Sequence, residues 1–125
     1  ECELHCLEWL CREADEIRKA SPGRTQLLEL HCGGGNNTVA LAPYFDEVLA
    51  VEINRTLAEA AEENVAANGL RNVQLIRAPS AALDAAAAIG CQVVLVDPPR
   101  SGLDAETRKL VAGFDEILYI SCNPL

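Results

Sequence analysis

No apolar stretch in this chain reaches the roughly 18 residues that a membrane-spanning helix needs, and its opening lacks the charged, apolar and small-residue order of a secretory signal. Both absences lead to the expectation of a soluble chain. Basic residues are scarce: ten Lys and Arg stand against nineteen Asp and Glu, a formal net charge of −9. A grip on nucleic acid through general phosphate neutralisation needs the opposite balance, so any such contact has to be local or lie on other residues. Paired Cys-x-x-Cys spacing is absent too. The six cysteines, at 2, 6, 11, 32, 91 and 122, are scattered through a pattern with little loop content, so they read as reduced thiols rather than a disulfide framework. A reducing compartment, the cytoplasm, is expected. Cys2, Cys6 and Cys11 with His5 are assigned to helix packing, and no metal site is expected. Neither an internal repeat nor a low-complexity linker divides the chain, so its 125 residues, 50% hydrophobic, are expected to form one domain (1–125) around a real core.

What is present is regular alternation. Leu4, Leu7, Cys11, Ala14 and Ile17 recur at helical spacing and predict a leading amphipathic helix over 3–19, within a segment 1–22 that ends at Ser21-Pro22-Gly23 and covers one face of a sheet. Trp9 on this helix is expected to pack on that sheet. Strands follow at 26–30, 47–51, 73–76, 92–96 and 116–120, separated by helices at 37–42, 55–68, 80–89 and 104–112. Strands alternating with helices make right-handed βαβ units and a parallel sheet, so the fold class is α/β with a doubly wound, Rossmann-like arrangement. Arg55 and Glu59 have the spacing of a supportive pair on a wet helix face. The last strand would be an exposed edge with no closing helix. A sheet incomplete at its C-terminal edge, in a chain that is a piece of a longer protein, is therefore expected.

Ligands of open α/β sheets gather at the carboxyl ends of the strands. Three such ends here carry polar groups. The first runs into Cys32-Gly33-Gly34-Gly35-Asn36, where glycines without side chains let backbone N–H groups approach a ligand closely. The second ends at Glu52, placed to accept hydrogen bonds from two ribose hydroxyls. Together they call for a nucleoside-containing cofactor. A strict dinucleotide fingerprint wants a third glycine where Thr38 stands, which weakens a nicotinamide reading. The fourth strand ends in Asp97-Pro98-Pro99-Arg100, whose prolines stiffen the backbone and aim the Asp97 side chain at a base edge or an amino group. Asp104 reads as the N-cap of the next helix. Beyond the fifth strand, Ser121-Cys122-Asn123-Pro124 sets a thiol where a nucleophile would sit.

The runs Leu28-Glu29-Leu30-His31-Cys32-Gly33-Gly34-Gly35-Asn36, Val51-Glu52-Ile53, Val96-Asp97-Pro98-Pro99-Arg100-Ser101-Gly102-Leu103-Asp104 and Tyr119-Ile120-Ser121-Cys122-Asn123-Pro124 resemble the S-adenosylmethionine-dependent RNA uracil-5-methyltransferases. Within that family the chain is most similar to the bacterial-type enzymes acting on the tRNA T-loop. The resemblance covers 26–125 and implies a Rossmann-like class I methyltransferase domain. It implies Cys122 as catalytic nucleophile, and His31, Gly33, Gly35, Asn36, Glu52 and Asp97 lining the cofactor site. An aromatic usually stands at the position of His31 in the family, and Gly-Asn-Gly-Asn-Phe where this chain has Gly33-Gly34-Gly35-Asn36-Asn37. The family's general base, a glutamate, lies downstream of the Ser-Cys-Asn-Pro run and is expected beyond Leu125. The expected partner is therefore an RNA, tRNA foremost.

Those residue types suit the chemistry. Carbon 5 of uracil is too weak a nucleophile to take a methyl group from a sulfonium unaided, and thiolate attack at carbon 6 converts the ring to an enolate whose carbon 5 carries the charge. The other thiols, Cys32 and Cys91 included, are read as packing groups. Two alternatives share parts of the pattern. A truncated module that binds the cofactor without turnover accounts for the missing base, and a nicotinamide-dependent oxidoreductase shares the glycine turn and ribose acid but leaves the two proline-containing runs unexplained.

Overall fold

The computed structural model describes residues 2–21, 23–79, 90–97 and 103–120, with side chains from Leu7 onward. Five strands, β1 (Gln26–Leu30), β2 (Glu47–Val51), β3 (Val73–Ile76), β4 (Val93–Val96) and β5 (Glu116–Tyr119), form one sheet in the order β3-β2-β1-β4-β5, every pair parallel. The helices are α1 (Cys2–Ala20), α2 (Asn36–Leu41, continued by a 3₁₀ turn Ala42–Tyr44), α3 (Arg55–Ala67) and α4 (Ala105–Ala112). This is the doubly wound, Rossmann-like α/β arrangement, with the strand order reversing between β1 and β4.

Apart from Glu29 of β1, the central strands are apolar on both sides, as a sheet covered on both faces requires. Leu27, Val48, Val93, Leu95, Leu118 and Ile120 face α1 and α2, where Leu10, Ala14, Leu41 and Phe45 complete a core. Leu28, Leu30, Val51, Val94 and Val96 face the other way and pack on Val111 of α4. Ala61 of α3 sits against Ala50 and Cys32. Side chains supply the helix starts: Asn54 accepts from the Leu57 N–H at 2.9 Å for α3, and Asp104 accepts from the Thr107 N–H at 2.8 Å for α4, as its N-cap reading anticipates. Arg55 pairs with Glu59 at 3.2 Å on the wet face of α3.

The predicted strands 26–30, 47–51 and 73–76 coincide with those observed, and the other two each lose one terminal residue. The helix predicted over 37–42 begins one residue earlier and tightens at Pro43, whose ring suits the start of a 3₁₀ turn. The helix expected over 80–89 lies outside the described residues. One expectation for α1 needs correction: Trp9 is 37% exposed instead of packed on the sheet, and its neighbour Leu10 is fully buried, beside the predicted Cys11, Ala14 and Ile17. Adjacent helical residues differ by about a hundred degrees in direction, so burying Leu10 turns Trp9 outward. On β5, Ile117 and Tyr119 remain exposed on the α4 side. No described helix is long and apolar enough to cross a membrane.

Candidate functional site

Parallel registers align the strand ends into one row. Leu30 pairs with Val51 and with Val96, Val51 pairs with Ile76, and Val96 pairs with Tyr119. One step further along each strand therefore stand Arg77, Glu52, His31, Asp97 and Ile120, side by side on the carboxyl edge. The ladder continues through this step: Cys32 N–H donates to Val51 O at 3.0 Å, Glu52 N–H to Ile76 O at 3.0 Å, and Ile120 N–H to Val96 O at 2.9 Å. His31 is thus flanked by two carboxylates at the reversal of strand order, strands lying about 4.8 Å apart. Its φ of 59° is the one left-handed value among the described non-glycine residues and turns the chain out of β1.

The glycine turn follows at once. Gly35 N–H donates to Cys32 O at 3.1 Å, closing a β-turn whose first central residue, Gly33, has φ of 59°. Gly35 itself has φ of 90°, which favours glycine, and a Cβ there would come within 3.2 Å of Ala61, a tight approach. Around Gly33 and Gly34 the situation is opposite: a methyl group on either would meet no described atom within 4 Å. Among the described residues the turn is closed toward α3 and uncrowded at Gly33 and Gly34.

Three side chains hold the turn. Glu52, buried, accepts from Gly33 N–H through Oε1 and from Asn54 N–H through Oε2, each at 2.9 Å. Each oxygen keeps a further acceptor site for a ligand hydroxyl. Asn64 of α3 donates from Nδ2 to Gly34 O at 2.9 Å. Glu29 of β1, fully enclosed, accepts from the Thr38 hydroxyl and so ties α2 beneath the turn. Thr38 occupies the position of a dinucleotide fingerprint's third glycine, and its hydroxyl is spent on that buried acid.

Burial raises the pKa of Glu29 from 4.5 to about 8, with the Asp97 charge adding and the Thr38 hydroxyl opposing. Cys32 is pushed up to about 12, first by burial and then by the charges of Glu29 and Glu52, which makes it a packing thiol. Desolvation also raises Cys11 and Cys91. At the strand end, desolvation raises Asp97 and His31 opposes it.

Of the residues singled out from sequence, the structure brings His31, Gly33, Gly35, Asn36, Glu52 and Asp97 to one edge of the sheet. Cys122, Pro98, Pro99 and Arg100 lie outside the described residues. Glu29, Thr38, Asn64 and Ile53 went unpredicted. A charge inside the apolar strand Gln26–Leu30 was the available signal for Glu29. Ile53, 57% exposed directly after the buried Glu52, is an apolar surface at the same strand end.

The sequence model of the family described as tRNA (Uracil-5-)-methyltransferase matches residues 1–125. A tRNA/tmRNA (uracil-C(5))-methyltransferase of Aromatoleum aromaticum is 47% identical over 94% of this chain and 34% of its own length. The enzyme of the same name from Escherichia coli is 43% identical over 97% of this chain and 36% of its own length. The chain thus spans about a third of these curated relatives. Among solved structures, the Pyrococcus abyssi tRNA (uracil-54, C5)-methyltransferase in complex with S-adenosyl-L-homocysteine superposes with a TM-score of 0.71 and 26% identity, over 90% of this chain and 28% of that one. An rRNA methylase from Streptococcus thermophilus, at 15% identity and a TM-score of 0.69 over 89% of this chain and 70% of that one, shares the fold alone. A family match along the whole chain, on a methyltransferase fold whose glycine turn and acidic strand ends meet at the strand-order reversal, leaves one conclusion: this chain belongs to the tRNA (uracil-5-)-methyltransferase family.

Proposed function

We propose that this chain is the cofactor-binding and cysteine-bearing part of an enzyme that methylates carbon 5 of a uridine in RNA, with a tRNA T-loop as substrate. The observation that carries this reading is the shared row of Glu52, His31 and Asp97 on the carboxyl edge, reached by three different strands in one register. S-adenosylmethionine, when bound, supplies an electrophilic methyl group. The residues fit such a group. Glu52 keeps acceptor capacity for ribose hydroxyls, the exposed Ile53 offers an apolar surface to a nucleobase, and Gly33 and Gly34 are uncrowded among the described residues, leaving them open to the rest. Asn36, at the start of α2, and His31 and Asp97, directly after β1 and β4, supply polar groups for the amino-acid end.

Cys122 follows Ile120 by two residues, and Ile120 is still bonded alongside the end of β4. Its thiolate adds to carbon 6 of the target uracil, forming the S–C6 bond and moving charge to carbon 5. After methyl transfer to carbon 5, a base takes the carbon 5 proton and the electron pair expels the thiolate. The described thiols Cys11, Cys32 and Cys91, all held above the ordinary thiol range, are poor rivals for this role. A uridine in a loop reaches the site at lower unstacking cost than one in a duplex, a saving of a few kcal/mol.

Intact mass of the chain after incubation with S-adenosylmethionine and a T-loop RNA carrying 5-fluorouridine tests the reading. Fluorine at carbon 5 cannot leave as a proton, so the adduct accumulates whether or not a base is present. A methylated RNA adduct that is absent from Cys122→Ala is the expected result. A folded chain that binds the cofactor and forms no adduct would reduce it to a cofactor-binding module.

A further inference from the structure

We propose that Asn64 is a positioning residue: from α3 it fixes the Gly34–Gly35 peptide, and with it the face that the glycine turn presents to the cofactor. The inference rests on the cofactor reading above. A trans peptide is a rigid plane, so the Gly34 carbonyl and the Gly35 N–H turn together. With no Cβ on either residue, sterics do little to stop that plane from flipping. Hydrogen bonds at its two ends do so instead: Asn64 Nδ2 holds the carbonyl at 2.9 Å, and Cys32 O receives the N–H at 3.1 Å. Gly33 N–H is already committed to Glu52, so Gly34 N–H is the turn's glycine donor with no partner among the described residues. A flip would redirect the groups flanking that donor.

Helix α3 does not need this side chain. Its N-cap is Asn54, its last turn is closed by Asn68 onto the Asn64 backbone carbonyl, and Ala61 already packs on Gly35. Asparagine inside a helix otherwise rich in alanine and glutamate is locally unfavourable. What Asn64 adds is a donor aimed across 30 residues at the turn.

Calorimetric titration of the chain with S-adenosyl-L-homocysteine, beside Asn64→Ala and Asn64→Asp, tests this, together with apo melting curves and the backbone amide NMR signals of Gly34 and Gly35. The expected result is about tenfold weaker binding in both variants, with little change in melting, and glycine signals that shift or double while the rest of the spectrum is retained. Unchanged affinity and unchanged glycine signals would overturn the proposal. Variants that lose their fold would make Asn64 part of the scaffold and overturn it equally. A wild-type chain that binds no S-adenosyl-L-homocysteine would overturn the cofactor reading itself, while the glycine signals still decide whether Asn64 fixes the peptide.

Discussion

The Glu29 carboxyl and the Thr38 hydroxyl meet inside the protein, beneath the glycine turn, so that β1 and α2 are joined by a polar pair that water does not reach. The acid is therefore easier to ionise unfolded, near 4.5, than folded, near 8. Between those values the folded state holds a proton that the unfolded state has lost, and stability falls as pH rises. Its contribution is complete below about 4.5 and gone above about 8. The loss across the window is on the order of a few kcal/mol. Urea denaturation across this window should show the slope in the native chain, and Glu29→Gln should flatten it. An equal slope in both would assign the pH dependence elsewhere.

Gly34 and Gly35 should respond differently to the same methyl group. Gly35→Ala forces a left-handed φ on alanine and drives Cβ to 3.2 Å from Ala61, a loss of about 1–3 kcal/mol. Gly34→Ala meets no described atom within 4 Å, so its melting curve should stay within about 0.5 kcal/mol of the native one. Its methyl group enters the space assigned to the cofactor, and S-adenosyl-L-homocysteine affinity should fall. Thermal melts and titrations on both variants separate the two effects.

Glu52→Gln keeps the shape of the side chain and exchanges one acceptor oxygen for an amide donor that faces a backbone N–H. Destabilisation of about 1–3 kcal/mol is expected, with weaker cofactor binding on top. Chemical denaturation measures the first and calorimetry the second. A variant that binds as tightly as the native chain would remove Glu52 from the cofactor site.

Cys32 should resist alkylation in the folded chain, since burial and two neighbouring acids hold its thiol near 12. Peptide mass mapping after iodoacetamide treatment at mildly alkaline pH should find Cys32 unmodified until denaturant is added. Rapid labelling of folded protein would contradict the enclosed environment described for it.

Strands were the most legible part of the sequence because their apolar runs, such as Val93 to Val96, are short, continuous and bounded by polar residues. Glu52, Asp97 and the glycines could be read because each stands directly after such a run. The tethers could not. Nothing local relates Asn64 to Gly34 or Glu29 to Thr38, since those contacts arise only when α3 and α2 fold back over the edge of the sheet. Trp9 was misjudged for a related reason: a leading helix has a stripe in its sequence, and the rotation that selects which residues go down is set by the sheet it meets.

The reversal of strand order also sets a sequence of assembly. The neighbours of β1 come from opposite halves of the chain, β2 immediately after it and β4 only after β3 has been made. During synthesis the β1, β2 and β3 ladder can close first and already contains the glycine turn and Glu52. The gap beside His31 is filled only when Gln92 reaches back to Gln26, 66 residues away, and Asp97 arrives with it. A ligand that touches both sides of that seam recognises β1 and β4 already joined, so its binding reports that this 66-residue pairing has formed.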